Sequence, residues 1–147
     1  MPSFLQLCTV LFTVAMLCVS VYFLLGSVPL LILKHDTPVD GRFIRSFFNL
    51  YYRVAAFVAG AATLTYAFSG RLWFAVGAAV IAVLSVVLRR TVIAKMDALQ
   101  LHIQNQIQIQ TTDFEAIPEF RKIHFRAILI SAIQLAVVVW SLFQFKL

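Results

Sequence analysis

Residues 1–33, MPSFLQLCTVLFTVAMLCVSVYFLLGSVPLLIL, contain no Asp, Glu, Lys, Arg or His. About 20 consecutive apolar residues cross the hydrocarbon core of a bilayer, and this run is longer. A cleaved signal peptide would open on basic residues and carry a short apolar core. Here Met1-Pro2-Ser3 supplies no base. The stretch predicts a retained transmembrane helix over about 4–27, bent or interrupted at Gly26, Ser27 and Pro29.

Outward from it, three further apolar stretches follow. A polar connection over 34–45 leads to a second span at about 47–68, in which Arg53 is the lone charge. Ser69-Gly70-Arg71 reads as a tight turn. A third span follows at about 72–88, with a helical extension beyond Arg89 and Arg90 to about 105. In that extension Val92, Met96, Leu99 and Ile103 recur at helical spacing, and the glutamines between Gln100 and Gln110 form a solvated face. Thr112 or Asp113 is expected to cap the last helix, whose span covers about 125–145. No repeat divides the chain, so its 147 residues form one domain.

Composition agrees. Hydrophobic residues make up 62% and charged residues 12%, against roughly 45–50% and 25% in soluble proteins. These values exclude an ordinary soluble enzyme, a disordered chain and a disulfide-framed secreted domain. Cys8 and Cys18 lie about 15 Å apart along one helix, too far to bridge, and read as two buried, reduced thiols. The expected fold is all-α, an integral membrane four-helix bundle.

Charge sets the expected orientation. The formal net charge is +6. One side of the bundle carries Lys34, Arg42, Arg45, Arg89, Arg90, Lys95, Arg121, Lys122 and Arg126, and the other only Arg71 and Lys146. Basic loops stay cytoplasmic, so both termini are expected on the non-cytoplasmic side. The setting that fits is a bacterial inner (cell) membrane. The bases contact lipid headgroups, and no nucleic-acid partner is expected because no basic module with its own fold is present.

Membrane helices associate through small and polar residues, which gives each span an expected inner stripe. These are Thr9, Thr13, Met16, Ser20 and Ser27 in the first span, and Arg42, Ser46, Asn49, Arg53, Ala56, Gly60, Thr63 and Ala67 in the second. The third has Arg71, Ala75, Ala78, Ala82, Ser85 and Arg89. The fourth has His124, Ala127, Ser131, Gln134, Val138 and Ser141. At the basic end the stripes bring ionisable residues together, and such groups at membrane depth mark functional sites. A polar pocket is expected there, lined by Asn49, Tyr52, Arg53, Arg89 and His124, with Ser85, Arg126 and Ser131 as further ligand contacts. His124 would act as general base or hydrogen-bond donor. Arg53 and Arg89 would stabilise developing negative charge. The bland alternatives are an Arg53 that snorkels to the headgroups and arginines that only enforce topology.

Other chemistries lack a signature. His35, His102 and His124, with Asp36 or Asp97, have no metal-ligand spacing and no Glu-x-x-His pair. No metal or cofactor is expected. There is no G-x-S-x-G, Cys-His pair or phosphate-binding loop, and no carboxylate within a span to relay protons.

Two stretches carry a resemblance. Phe48-Asn49-Leu50-Tyr51-Tyr52-Arg53 leads into a small-residue helix, and Phe120-Arg121-Lys122-Ile123-His124-Phe125-Arg126 opens the last one. With the bent first helix and Thr91-Val92-Ile93 after the third, the chain resembles the anthrone-oxygenase-like membrane family. That family consists of four-helix proteins whose last helix opens with an aromatic residue, a His and an Arg, here Phe120, His124 and Arg126. Lys95 and Asp97 stand where the family usually has Pro and Asn. The resemblance implies a four-helix architecture and oxygenation of an aromatic, polyketide-like substrate. The arginine- and glutamate-containing motif of membrane glutathione transferases is absent.

Two functions fit these residues. One is a cytoplasm-facing pocket for a small lipophilic or aromatic molecule, oxygenase-like if catalytic. The other is a non-catalytic accessory or scaffold subunit, whose partner is another membrane protein or a second copy of the chain. A transporter would need such an oligomer to form a path.

Overall fold

The computed structural model describes residues 4–32, 38–108 and 116–143. They form four helices: α1 (Phe4–Ile32), α2 (Pro38–Phe68), α3 (Leu72–Gln108) and α4 (Ala116–Phe143). No strand occurs among the described residues. Each helix contains a segment long and apolar enough to cross a bilayer: Phe4–Leu30, Gly41–Phe68, Leu72–His102 and Arg121–Phe143. The protein is a multi-pass, all-α membrane protein.

The helices form a ring in which each packs on two neighbours, α1 on α2 and α4, and α3 on α2 and α4. The backbones of the diagonal pairs do not touch. The packing is closest between α2 and α3, which are joined by the Ser69–Arg71 turn. There the Arg71 amide donates to the Tyr66 carbonyl at 3.0 Å and the Gly70 amide to that of Ala67 at 3.1 Å. These two bonds define a Schellman cap, which requires a left-handed residue at its centre. Gly70 supplies it, with φ +71°.

The start of α1 and the end of α4 lie at this turn end. Thr9 and Ser69 share a hydrogen bond of 3.2 Å, and Thr13 and Tyr66 one of 2.7 Å. A cavity of about 140 Å³ between them is lined by Thr13, Tyr66, Trp73 and Trp140, among others. The opposite end, reached by Arg45, Arg89 and Arg126, is the arginine end.

Two boundaries differ from expectation. α2 starts at Pro38, so most of the expected polar connection over 34–45 is helix. Proline suits the first helical position because the amide it lacks is unbonded there anyway, and Ile44 then joins the buried cluster that also holds Val92 and Met96 of α3. α1 continues through Gly26, Ser27 and Pro29 to Ile32. In lipid the backbone must bond to itself, and Ser27 Oγ donates to the Leu24 carbonyl at 3.3 Å. Gly26 has a packing role instead, since a Cβ there would lie 2.5 Å from Phe47 Cζ. α4 is described from Ala116, ahead of its apolar span, as a helix capped shortly before would be. The expected caps Thr112 and Asp113, together with His35, Asp36 and residues 144–145, lie outside the described residues.

α3 has 37 residues, or about 55 Å, and outruns a hydrocarbon core of roughly 30 Å. It reaches past Arg89 and Arg90 to Gln108, with Val92, Ile93 and Met96 buried on its inner side. Cys8 and Cys18 are both free, but Cys18 is exposed and Cys8 half-buried. The expectation that both are buried in protein is corrected, because the outer face of α1 needs only to be apolar.

Candidate functional site

The inner stripes of α1 and α4 are those expected. Thr9, Thr13, Met16, Ser20 and Ser27 are buried on α1, and His124, Ala127, Ser131, Gln134 and Val138 on α4. On α3, Ala75, Ala78 and Ser85 are buried, and the line continues through Leu88, Val92 and Met96.

On α2 the expectation is overturned. Its buried face is Ile44, Phe48, Tyr51, Tyr52, Ala55, Val58, Ala59, Ala62 and Tyr66. Arg42, Ser46, Arg53 and Ala67 of the expected stripe are exposed. The physical reason is complementarity of size. The serines and alanines of α1 and α4 leave space at the centre, and the large rings of α2 fill it. Close packing in membranes pairs small with large as readily as small with small.

Phe48, Tyr51 and Tyr52 stand at i, i+3 and i+4 and so share one side of α2. Phe23 of α1 stacks on Tyr51, with centroids 3.8 Å apart, and meets Phe48 edge-on at 4.9 Å. Phe48 in turn meets the His124 imidazole edge-on, 5.0 Å away at 84°. The ring cluster thereby bridges the diagonal that the α2 and α4 backbones leave open. Tyr51 Oη donates to Gln134 Oε1 in a long bond of 3.4 Å, with Ser131 and Ser20 as its other polar neighbours.

His124 is 0% exposed, and Tyr52 is likewise 0% exposed. Tyr52 Oη has no hydrogen-bond partner among the described residues. A buried hydroxyl left in this state costs about 1–3 kcal/mol, and native structures rarely leave one so.

The other expected site residues separate from this interior. Arg53 and Arg126 are exposed, so neither lines a buried site with His124. Asn49 and Arg89 are half-buried and bonded to each other, Arg89 Nε donating to Asn49 Oδ1 at 2.8 Å. Asn49 follows Phe48 by one residue, which turns its side chain about 100° away on a helix of 3.6 residues per turn. Ser85 is buried, but its hydroxyl donates to the Ile81 carbonyl of its own helix at 2.8 Å. Of the eight expected residues, His124, Tyr52 and Ser131 thus belong to the buried interior. Asn49 and Arg89 form a pair at the α2–α3 seam.

Sequence reasoning did not find Phe48 as the ring against His124, nor Phe23 and Tyr51 in the cluster behind it. The signal was present in the i, i+3, i+4 spacing of the rings. It also missed the ion pair of Arg45 with Asp97, in which Arg45 Nη2 donates to Asp97 Oδ2 at 2.9 Å. His102 is exposed on α3. No three His, Cys, Asp or Glu side chains gather among the described residues. Compared with protein-family models, curated proteins and solved structures, the chain matches none.

Proposed function

We propose that the protein binds a small lipophilic or aromatic molecule inside the arginine end of the bundle, against Tyr52 and His124, and that this end faces the cytosol. The observation that carries the reading is the Tyr52 hydroxyl, fully buried with no hydrogen-bond partner among the described residues. A guest bearing one polar group would satisfy it and relieve the desolvation cost. The packed rings of Phe23, Phe48 and Tyr51 make this interior apolar and aromatic, which suits a lipophilic or aromatic guest. The positive-inside asymmetry supports the orientation.

An oxygenase-like form of this proposal adds a reaction to the binding, supported by the resemblance of residues 48–53 and 120–126 to the anthrone-oxygenase-like proteins. In it His124 is the base that takes an acidic proton from the guest. Arg53 and Arg89 have no part in it, the first being exposed and the second engaged by Asn49.

The test is native mass spectrometry of protein extracted gently from its own membrane, alongside His124→Ala. The expected result is an adduct of discrete mass on the wild type, reduced or lost in the variant. Wild-type protein with no adduct, or an adduct unchanged in a folded His124→Ala, contradicts the proposal.

A second reading, an accessory subunit, has its own observation. Ala56, Gly60 and Thr63 follow one another on α2 outside the buried face, and a Cβ on Gly60 would meet no atom within 4 Å. Open small-residue ridges are where other membrane helices pack. Gly60→Leu would then release a partner or a second copy without unfolding the chain. Retention of the partner in that variant contradicts this reading.

A further inference from the structure

The seam between α2 and α3 holds a second arrangement, outside the ring cluster. Asn49 Oδ1 accepts from Arg89 Nε at 2.8 Å, which orients the guanidinium; its Nη groups have no partner among the described residues. Arg53 stands one helical turn beyond Asn49, on the same side of α2, and is exposed. One arginine is therefore bonded to the amide and a second stands one helical turn from it along α2. Neither arginine has a carboxylate partner among the described residues, and Asp97 is held by Arg45.

Position along the helices gives the seam its depth. On α3 no charged residue lies between Leu72 and Leu88, and Arg89 is the first. The seam thus sits where the apolar surface ends, at the level of lipid phosphates. Arg53 lies about 6 Å deeper by helical rise, a distance its side chain can cover by snorkelling. One turn further into the apolar region, Phe57 lies below Arg53 and Val86 below Arg89, both exposed. Acyl chains have apolar surface directly under the charged groups.

Two neighbouring cations near hydrocarbon repel each other and keep an incomplete hydration shell, so an anion between them is favoured. A fixed guanidinium fork matches the oxygens of a phosphate. We propose that Arg53, Arg89 and Asn49 form a discrete site for the phosphate of an anionic phospholipid drawn from the surrounding bilayer. Asn49 is the positioning residue, and the two arginines contact the phosphate. This site is separate from the Tyr52–His124 interior, and each proposal stands or falls alone.

The test uses the full-length protein, delipidated in detergent and titrated with phosphatidylglycerol under native mass spectrometry. Phosphatidylcholine serves as the zwitterionic comparison. One phosphatidylglycerol per chain is expected to persist where phosphatidylcholine does not. Arg53→Gln and Arg89→Gln should each weaken its retention about fivefold, the effect of one basic group near a charged surface. Arg90→Gln, exposed and next in sequence, should change it less than about twofold, as for a screened peripheral charge. Equal losses in Arg89→Gln and Arg90→Gln would overturn the site in favour of a diffuse headgroup layer. Displacement of the lipid by excess inorganic phosphate would overturn the lipid as the source of the anion. Should Arg89→Gln fail to fold, Arg53→Gln decides alone, because an exposed side chain does not support the core; unchanged retention there also overturns the proposal.

Discussion

Phe48 of α2 presents its ring edge to the imidazole of His124 on α4, 5.0 Å away. The contact crosses one of the two diagonals along which the helix backbones do not meet. It therefore does two things. It closes the centre of the bundle, and it sets an aromatic ring edge against a buried imidazole. Phe48→Ala would open a cavity at this crossing, with a cost of about 3 kcal/mol. Thermal unfolding of the purified protein should register it as a clear drop in Tm. A Tm unchanged from wild type would mean that the crossing is not a packed contact.

The α2–α3 turn makes a sharper demand on residue type. Gly70 has φ +71°, where a side chain costs about 1–2 kcal/mol. Gly70→Ala should lower the unfolding temperature, and Gly70→Asn should lower it less, because Asn tolerates the left-handed region. The comparison of the two variants separates backbone strain from crowding, since no atom lies within 4 Å of a Cβ there.

At the turn end, Thr13 and Tyr66 share a hydrogen bond of 2.7 Å between α1 and α2. Such bonds between membrane helices are worth on average about 0.6 kcal/mol. Thr13→Val keeps the shape and removes this bond together with the one that Thr13 Oγ1 donates to the Thr9 carbonyl at 2.7 Å, so a loss at or above that size is expected. In a double-mutant cycle with Tyr66→Phe, the coupling isolates the shared bond and should be about 0.6 kcal/mol. Additive effects would show that the bond does not form in the membrane.

The ion pair of Arg45 with Asp97 lies at the other end, with side chains 39% and 40% exposed. At that exposure a pair contributes between about 0 and 1 kcal/mol and weakens with salt. Asp97→Asn is expected to change stability little, and less at high salt than at low. A loss of several kcal/mol would instead place the pair in a dry environment.

Much of the architecture was legible in the residues. Four charge-poor stretches separated by basic connections set the number of helices, and Gly70 marked the turn. The α1 and α4 stripes were legible because their serines, threonines and single Gln recur at alternating spacings of three and four within otherwise apolar helices. The α2 rotation was not. Asn49, Arg53 and Gly60 form as regular a stripe as Phe48, Tyr52 and Ala59, one position apart. Choosing between them needs the volumes of the facing helices, which α2 alone does not contain. The helical start at Pro38 was hidden for a related reason. Its polar residues suggest a loop until Ile44 is seen to be buried in the same cluster as Met96. His124 was found because it heads the α4 stripe, whereas the orphan Tyr52 hydroxyl is a property of the assembled bundle.

Tyr52→Phe removes one atom and tests the central claim most directly. It deletes the buried hydroxyl that the proposed guest would satisfy. The measurement is Tm for wild type and variant, each as gently extracted and again after exhaustive detergent exchange. With a guest bound, the variant should melt lower than wild type when gently extracted, because a satisfied hydrogen bond is lost. After exchange the order should reverse, because the wild type then carries an unsatisfied hydroxyl worth about 1–3 kcal/mol. A variant that melts at or above wild type in both preparations would contradict the claim.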